Sequence, residues 1–430
     1  MNRQIFNPIF AENEYVPDGE PHVFGDRVYV YGSHDRFNGE AFCMDNYTVW
    51  SAPVNDLTDW KSHGIVYDRF KDPYCAKTDF VYAPDCVQGA DGRFYLYYEL
   101  SLKPFVSVAV SDKPEGPFEY YGAVKYPDGT LAGMREHDVF MFDPGVFKDD
   151  DGHVYLYCGF NPDVEKEPFF ARAKEKYRLD GSYAFSLADD MLTVTKEHGM
   201  IRGGDFYEAS SMRKFDGKYY FIYSSREKHE LKWLVSDKPT EDFTDGGVLI
   251  SNGDLGLSER RLNYTGNNHG SVEYINGNYY VFYHRQTNKT NYSRQACAEK
   301  IVFKKGVFEQ AEMTSCGLNG KPLAAKGKYP ARIACNLYAK DGAVEYGNEL
   351  TPGIEDHPYF TQNEDGVQYI ANMHEGSTAV YKYFDDLAEA KIAVVHTGTG
   401  EMEIRTENNV LSFTYHGEDS ADFYSFSFEK

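Results

Sequence analysis

One strand–turn–strand pattern is written five times along this chain, and it constrains the fold more than any other feature. Apolar return strands begin at Val28 (VYVYGS), Phe94 (FYLYYE), Val154 (VYLYCG), Tyr219 (YYFIYS) and Tyr279 (YYVFYH), in steps of 66, 60, 65 and 60 residues. Each follows a turn dipeptide: Gly25-Asp26, Asp91-Gly92, Asp151-Gly152, Asp216-Gly217 and Asn276-Gly277. Asp-Gly and Asn-Gly accept the positive φ that two-residue hairpins demand, and β-branched and aromatic residues suit the flanking strands. Nine to eleven residues ahead of each return strand stands one ionisable group: Asp18, Asp85, Asp143, Glu208 and His269. A unit repeating at this period, with one such group each, predicts a radial array that turns those groups toward a common axis. That is a five-bladed β-propeller.

The chain outlasts the array. At 430 residues it is too long for one ordinary core, and the five-fold pattern ends near residue 310. Beyond about residue 320, segments such as VQYIANM, KIAVVHTG, GEMEIRT and DFYSFSFE alternate with period two. The expectation is an all-β protein, with a propeller over 1–315 and a small β-sandwich over 316–430. No stretch carries a helical period. Residues 1–20 are expected to add a strand to the last blade, because an open ring leaves strand edges unpaired. Connections at 34–48, 68–80, 128–141 and 253–268 are rich in Gly, Asn, Asp and aromatics, and predict a binding rim.

A formal charge of -23 excludes the phosphate backbone of nucleic acid and anionic membranes as partners, but not a neutral sugar. The start, MNRQIFNPIF, lacks the apolar run of a secretion signal, and no later run approaches a membrane span. Seven scattered cysteines form no Cys-x-x-Cys pair, so neither a zinc site nor a disulfide framework is expected. The expected compartment is the cytoplasm; a secreted or periplasmic protein written without its leader would read the same. The oligomeric state is open.

Asp18, Asp143 and Glu208, expected on inner strands, would share one funnel. Cleaving an acetal needs a general acid for the leaving oxygen and a base or nucleophile on the opposite face of the sugar. Asp18 and Glu208, on blades one and four, would lie across the funnel from each other. Asp143 would raise the pKa of Glu208 by like-charge repulsion and keep it protonated. The alternative for all three is that they cap strands and turns. Phe37, Trp50, Tyr82 and Phe206, nearest these acids in sequence, are candidate sugar platforms, with core packing as the alternative for each. Glu136-His137-Asp138 is a further candidate for the rim, whereas Asp149-Asp150-Asp151-Gly152 lacks the twelfth-position acid of a calcium loop and reads as a hairpin turn.

Five segments together carry a resemblance to glycoside hydrolase family 43: PDGEPHVFGDRVYVYGSHD (17–35), YAPD (82–85), FDPGVFKDDDGHVYLYCG (142–159), YEASSMRKFDGKYYFIYSS (207–225) and HGSVEYINGNYYVFYHR (269–285). The resemblance implies a five-bladed propeller and an inverting mechanism, with Asp18 as general base, Glu208 as general acid and Asp143 as pKa modulator and orienter. It implies exo-action on arabinose- or xylose-containing oligosaccharides without an organic cofactor. A calcium ion at the propeller centre beside His269 and a substrate-proximal Arg285 are also implied. Family members commonly have Asp-Pro at the base, whereas Asp18 precedes Gly19-Glu20, which leaves Glu20 as a second candidate. The C-terminal segment is similar to a shortened family-6 carbohydrate-binding module and is expected to pack on the propeller as a stabilising appendage. Three competing readings remain. A fructan-type hydrolase would want Asn-Asp-Pro and Arg-Asp-Pro motifs, both absent here. A phosphorylase would want a basic cluster for phosphate. The third is a sugar-binding propeller without catalysis.

Overall fold

In the computed structural model the described residues are 3–255, 260–261, 268–340, 344–345 and 357–429. The expected rim connection 253–268 therefore lies mostly outside them. Four four-stranded antiparallel meanders follow one another, over 20–67, 85–123, 145–200 and 206–250, and a three-stranded one over 272–301 completes the ring. The only α-helix among the described residues is Ala171–Lys176, six residues long, a short exception to the all-strand expectation.

Turn length differs between blades that share the Asp-Gly dipeptide. Phe24 pairs with Arg27, Phe215 with Lys218 and Ile275 with Asn278, so blades one, four and five have the expected two-residue hairpins. Blades two and three do not. Their loops close with Gly89 N–H bonded to the Arg93 carbonyl and Asp149 N–H to that of His153. Gly92 and Gly152 take left-handed φ of 84° and 90° as the last residue of a three-residue loop. Asp149-Asp150-Asp151 thus forms a hairpin turn, and the Asp149 carboxylate accepts from Lys214 Nζ and Tyr219 Oη at 2.5 Å each.

Between blades the sheets bury alternate apolar residues. Examples are Tyr31, Leu96 and Tyr98 between blades one and two, and Leu156, Cys158 and Phe185 between two and three. Small residues let an inner strand approach the next inner strand, or its own return strand, closely. A Cβ on Gly145 would fall 2.2 Å from the Ser210 carbonyl oxygen, and one on Gly270 would fall 2.0 Å from that of Phe282.

The ring closes through the lead-in. Ile9 N–H donates to the Ala296 carbonyl at 2.9 Å, and Gly19 bridges Gly270. The Asn7 side chain acts as a backbone substitute: its Oδ1 accepts from Ala298 N–H at 3.0 Å, and its Nδ2 donates to Glu299 Oε1 at 2.8 Å and to the Thr314 carbonyl at 3.0 Å. Ile5, Ile9 and Phe10 pack with Trp60, Phe282 and Leu318.

The C-terminal strands form a sandwich. One sheet holds Gly327–Pro330, Tyr359–Gln362, Gln368–Met373, Lys391–His396 and Ala421–Glu429; the other holds Asn336–Tyr338, Thr378–Lys382, Glu401–Glu407 and Val410–His416. Ile370, Tyr381, Phe413, Phe423 and Phe426 fill its core.

Asn7→Ala leaves the buried Ala298 N–H without an acceptor, a loss of about 1–3 kcal/mol. The expected outcome is a lower urea midpoint at unchanged m-value, measured by tyrosine fluorescence.

Candidate active site

Asp18 precedes the first inner strand, Glu20–Phe24, and sits at φ 57° with its carboxylate turned into the ring. Its Oδ1 accepts from Arg294 Nη1 at 2.8 Å and lies 3.5 Å from His284 Nδ1, while Oδ2 accepts from Ser33 Oγ. Arg294 opens the strand Arg294–Ile301 and is itself held by Asp35, through Nε to Oδ2 at 2.8 Å and Nη2 to Oδ1 at 3.0 Å. Burial alone would raise the Asp18 pKa. The Arg294 guanidinium, His269 and the Ser33 hydroxyl outweigh it and hold the carboxyl below its usual value.

Asp143, at φ 44°, is fixed from both ends: its N–H donates to Glu99 Oε2 at 3.3 Å and its Oδ2 accepts from Ala209 N–H at 3.1 Å. That second bond ties it to the residue after Glu208. Glu208 lies in the long inner strand Phe206–Phe215, where register shifts around Glu208 and a φ of 68° at Ala209 break the alternation. Tyr207 and Glu208 consequently both line the cavity. Burial, then the Asp143 charge, then the Asp18 charge push the Glu208 carboxyl well above the usual range. Burial and Asp18 raise Asp143 to about 6 against the pull of His269. One cavity of about 400 Å³ is lined by Asp18, Asp143, Glu208, His269 and Arg294 together with Tyr82, Tyr207 and Tyr292. Such a cavity sets an ionised carboxylate against a protonated one, the pairing that acid–base cleavage of an acetal requires.

Several expected residues lie elsewhere. Arg285 does not reach this cavity: strand alternation turns His284 toward Asp18 and Arg285 toward the sandwich. There Arg285 donates to the carbonyls of Arg332 at 2.8 Å and Ala334 at 3.2 Å and stacks over Phe360. Trp50 is on the third strand of its blade, stacked on Phe10 with ring centroids 4.6 Å apart. Phe206 packs among Phe221, Tyr223 and Leu234, and Phe37 packs against Tyr15. Of the four candidate platforms only Tyr82 lines the cavity. Glu20 is held by Arg213 at 2.7 Å and Ser211 Oγ at 3.0 Å outside it. Asp85 pairs with His22 at 2.6 Å and accepts from Val146 N–H at 2.7 Å. Glu136 and His137 are exposed away from the cavity, and Asp138 caps the turn through Gly133 N–H at 3.0 Å. Arg294, His284, Glu99 and Glu167 were not singled out by sequence. Arg294 arrives from an outer strand, so the repeat of inner-strand groups carries no signal for it.

The axis can hold a cation. His269 Nε2 lies 3.8 Å from Glu20 Oε1, and Nδ1 lies 3.7 Å from Asp143 Oδ2 and 3.9 Å from Asp18 Oδ1. Glu20 Oε1 is buried without a hydrogen-bond partner among the described residues. Glu20, His22 and Asp85 also offer ligand atoms within 4.8 Å of one another. A buried carboxylate oxygen lacking a donor suits a hard dication whose remaining ligands are waters.

The family model for glycosyl hydrolases family 43 matches residues 6–308. A xylosidase/arabinosidase of Thermoclostridium stercorarium is 45% identical over 436 residues, covering 95% of this chain and 89% of that protein. Among solved structures, a β-xylosidase/α-arabinofuranosidase from a compost microbial metagenome, with xylotriose and in a calcium-free form, is 26% identical at a TM-score of 0.55. It covers 70% of this chain and 96% of that one. An arabinoxylan arabinofuranohydrolase from Bacillus subtilis, with cellotetraose, matches in fold over 99% of this chain and 97% of its own, at 19% identity and a TM-score of 0.57.

Asp143→Asn removes a charge that opposes ionisation of Glu208, so Glu208 loses its proton at lower pH. The expected outcome is a downward shift of the alkaline limb of kcat/KM, read from a rate–pH profile.

Proposed function

This chain belongs to family 43 of the glycosyl hydrolases, and from that premise we propose that it removes terminal xylose or arabinose units from oligosaccharides with inversion. Asp18 is the base that takes a proton from the attacking water, and Glu208 is the acid that protonates the leaving oxygen. Asp143 keeps Glu208 protonated and, through Ala209, in place. The observation that carries this reading is the opposite bias of two buried carboxyls in one cavity, Asp18 held low by Arg294 and Glu208 pushed up by burial and Asp143. The names of the relatives support the pentose substrates.

His269 and Glu20, with water, would hold a calcium ion on the axis. When bound, the ion would supply positive charge among the axial carboxylates. The sandwich serves as a buttress: it receives Arg285 on Phe360, and its Gln362 accepts from Tyr15 Oη at 2.6 Å.

Three experiments test these assignments. Glu208→Gln and Asp18→Asn each lower kcat on aryl pentosides by about 10²–10⁴-fold. Proton NMR of the wild-type reaction shows the first anomer released with inverted configuration; retention would overturn the roles given to Asp18 and Glu208. For the ion, calcium added to chelator-treated protein raises Tm, by an amount equivalent to about 2.7 kcal/mol at a hundredfold excess over Kd. An unchanged Tm would remove the ion from the proposal.

A further inference from the structure

One wall of the cavity is not drawn from the blade repeat. Residues 161–177 leave the return strand of blade three, contribute Lys166, Glu167, Phe169 and Phe170 to the cavity lining and include the short helix Ala171–Lys176. This strap is moored to the strand that carries Glu208: Asn161 N–H donates to the Tyr207 carbonyl at 2.9 Å, and Asn161 Nδ2 to that of Phe206 at 3.0 Å. Glu167 accepts from Tyr207 Oη at 2.9 Å through Oε1 and from Asp163 N–H at 3.2 Å through Oε2. Both Glu167 and Phe169 line the cavity.

Phe169 is 68% exposed, the most exposed large apolar residue among those described. Its exposure is not a failure of packing, because an aromatic file stands behind it. Phe170 lies 4.1 Å from it between centroids, Phe160 meets Phe170 edge-on at 4.9 Å, and Phe142 stacks on Phe160 at 4.5 Å. Phe160 also meets Tyr207, the neighbour of Glu208, at 5.1 Å. An aromatic face left open at a cavity mouth, with a carboxylate two residues away, matches a sugar ring, which offers C–H groups on one face and hydroxyls at its edge.

The position of this wall says which ring it meets. Asp18 is surrounded by Ser33, His284, Arg294 and, through Arg294, Asp35, all from blades one and five. The strap stands on the other side, joined to Tyr207 beside Glu208. In the proposed chemistry the departing oxygen takes its proton from Glu208, so the group attached to that oxygen lies on the strap side.

We propose that Phe169 and Glu167 form the leaving-group subsite, where Phe169 stacks on the pyranose ring that departs and Glu167 accepts a hydrogen bond from one of its hydroxyls. They select a sugar over a small leaving group. This inference rests on the assignment of Glu208 as the acid and of a pentoside as substrate.

The test compares xylobiose, whose leaving group is a sugar, with β-xylosyl fluoride, whose leaving group is too small to reach the strap. Both are assayed with the full chain. In Phe169→Ala the ratio of kcat/KM on xylobiose to that on the fluoride falls by roughly three- to tenfold, mainly through KM. Phe169→Tyr keeps the stacking face and restores the ratio. Glu167→Ala lowers the ratio in the same sense. An unchanged ratio in both alanine variants, or equal losses on both substrates, would overturn the subsite. A wild type that cleaves neither compound would instead overturn the xyloside reading beneath it, and with it a subsite for a departing xylose.

Discussion

The axis of this propeller buries more carboxylates than cations, and the arrangement of the site follows from that imbalance. Asp18, Glu20, Asp35, Glu99, Asp143 and Glu208 are all nine-tenths buried or more. The arginines within reach are committed: Arg294 to Asp18 and Asp35, and Arg213 to Glu20. Ionising every acid in so little water would cost more than these pairs return, so some must keep their protons. Position decides which. Asp18 touches Arg294 and ionises, whereas burial and then the Asp143 charge push Glu99 and Glu208 well above the usual carboxyl range. A proton donor and a proton acceptor thus arise in one cavity from a single chemical type.

The backbone gives these groups their aim. Asp18, Asp143 and Ala209 adopt left-handed φ of 57°, 44° and 68°, conformations that cost a non-glycine residue free energy and persist only when neighbours hold them. Here the holders are identifiable. Asp18 N–H donates to His284 Nδ1 at 3.3 Å, Asp143 N–H to Glu99 Oε2 at 3.3 Å, and Ala209 N–H to Asp143 Oδ2 at 3.1 Å. Each strained residue spends its own N–H on a side chain of the site, so strain and electrostatics are set by the same bonds.

The sequence made legible whatever repeats. Return strands, turn dipeptides and one ionisable group per unit recur with the blades, and Asp18, Asp143, Glu208 and His269 do line one cavity. What proximity in sequence cannot resolve is which face of a strand a residue occupies. His284 and Arg285 differ by one position and by a whole face, as do Phe206 and Tyr207. At Glu208 even alternation fails, because the bulge sets two neighbours toward the same cavity. Loop-borne parts are harder still. Asp35, Glu167 and Phe169 belong to connections after return strands whose lengths differ from blade to blade, so no fixed spacing marks them.

The sandwich belongs to this frame as well. Its strand Tyr359–Gln362 holds the loop after the return strand of blade five: Asn288 N–H donates to the Phe360 carbonyl at 2.7 Å, and Asn288 Oδ1 accepts from Thr361 Oγ1 at 3.1 Å. From the same residue, Nδ2 reaches Asn38 Oδ1 at 3.0 Å, and Ser293 Oγ accepts from Asn38 N–H at 3.0 Å. The loop so clamped carries Tyr292, whose ring meets Phe42 edge-on at 4.8 Å on the cavity wall, and then runs directly into Arg294. A continuous line of bonded groups therefore joins the second domain to the guanidinium that keeps Asp18 ionised. The propeller supplies the acids, and the placement of their counter-charge is shared between both domains.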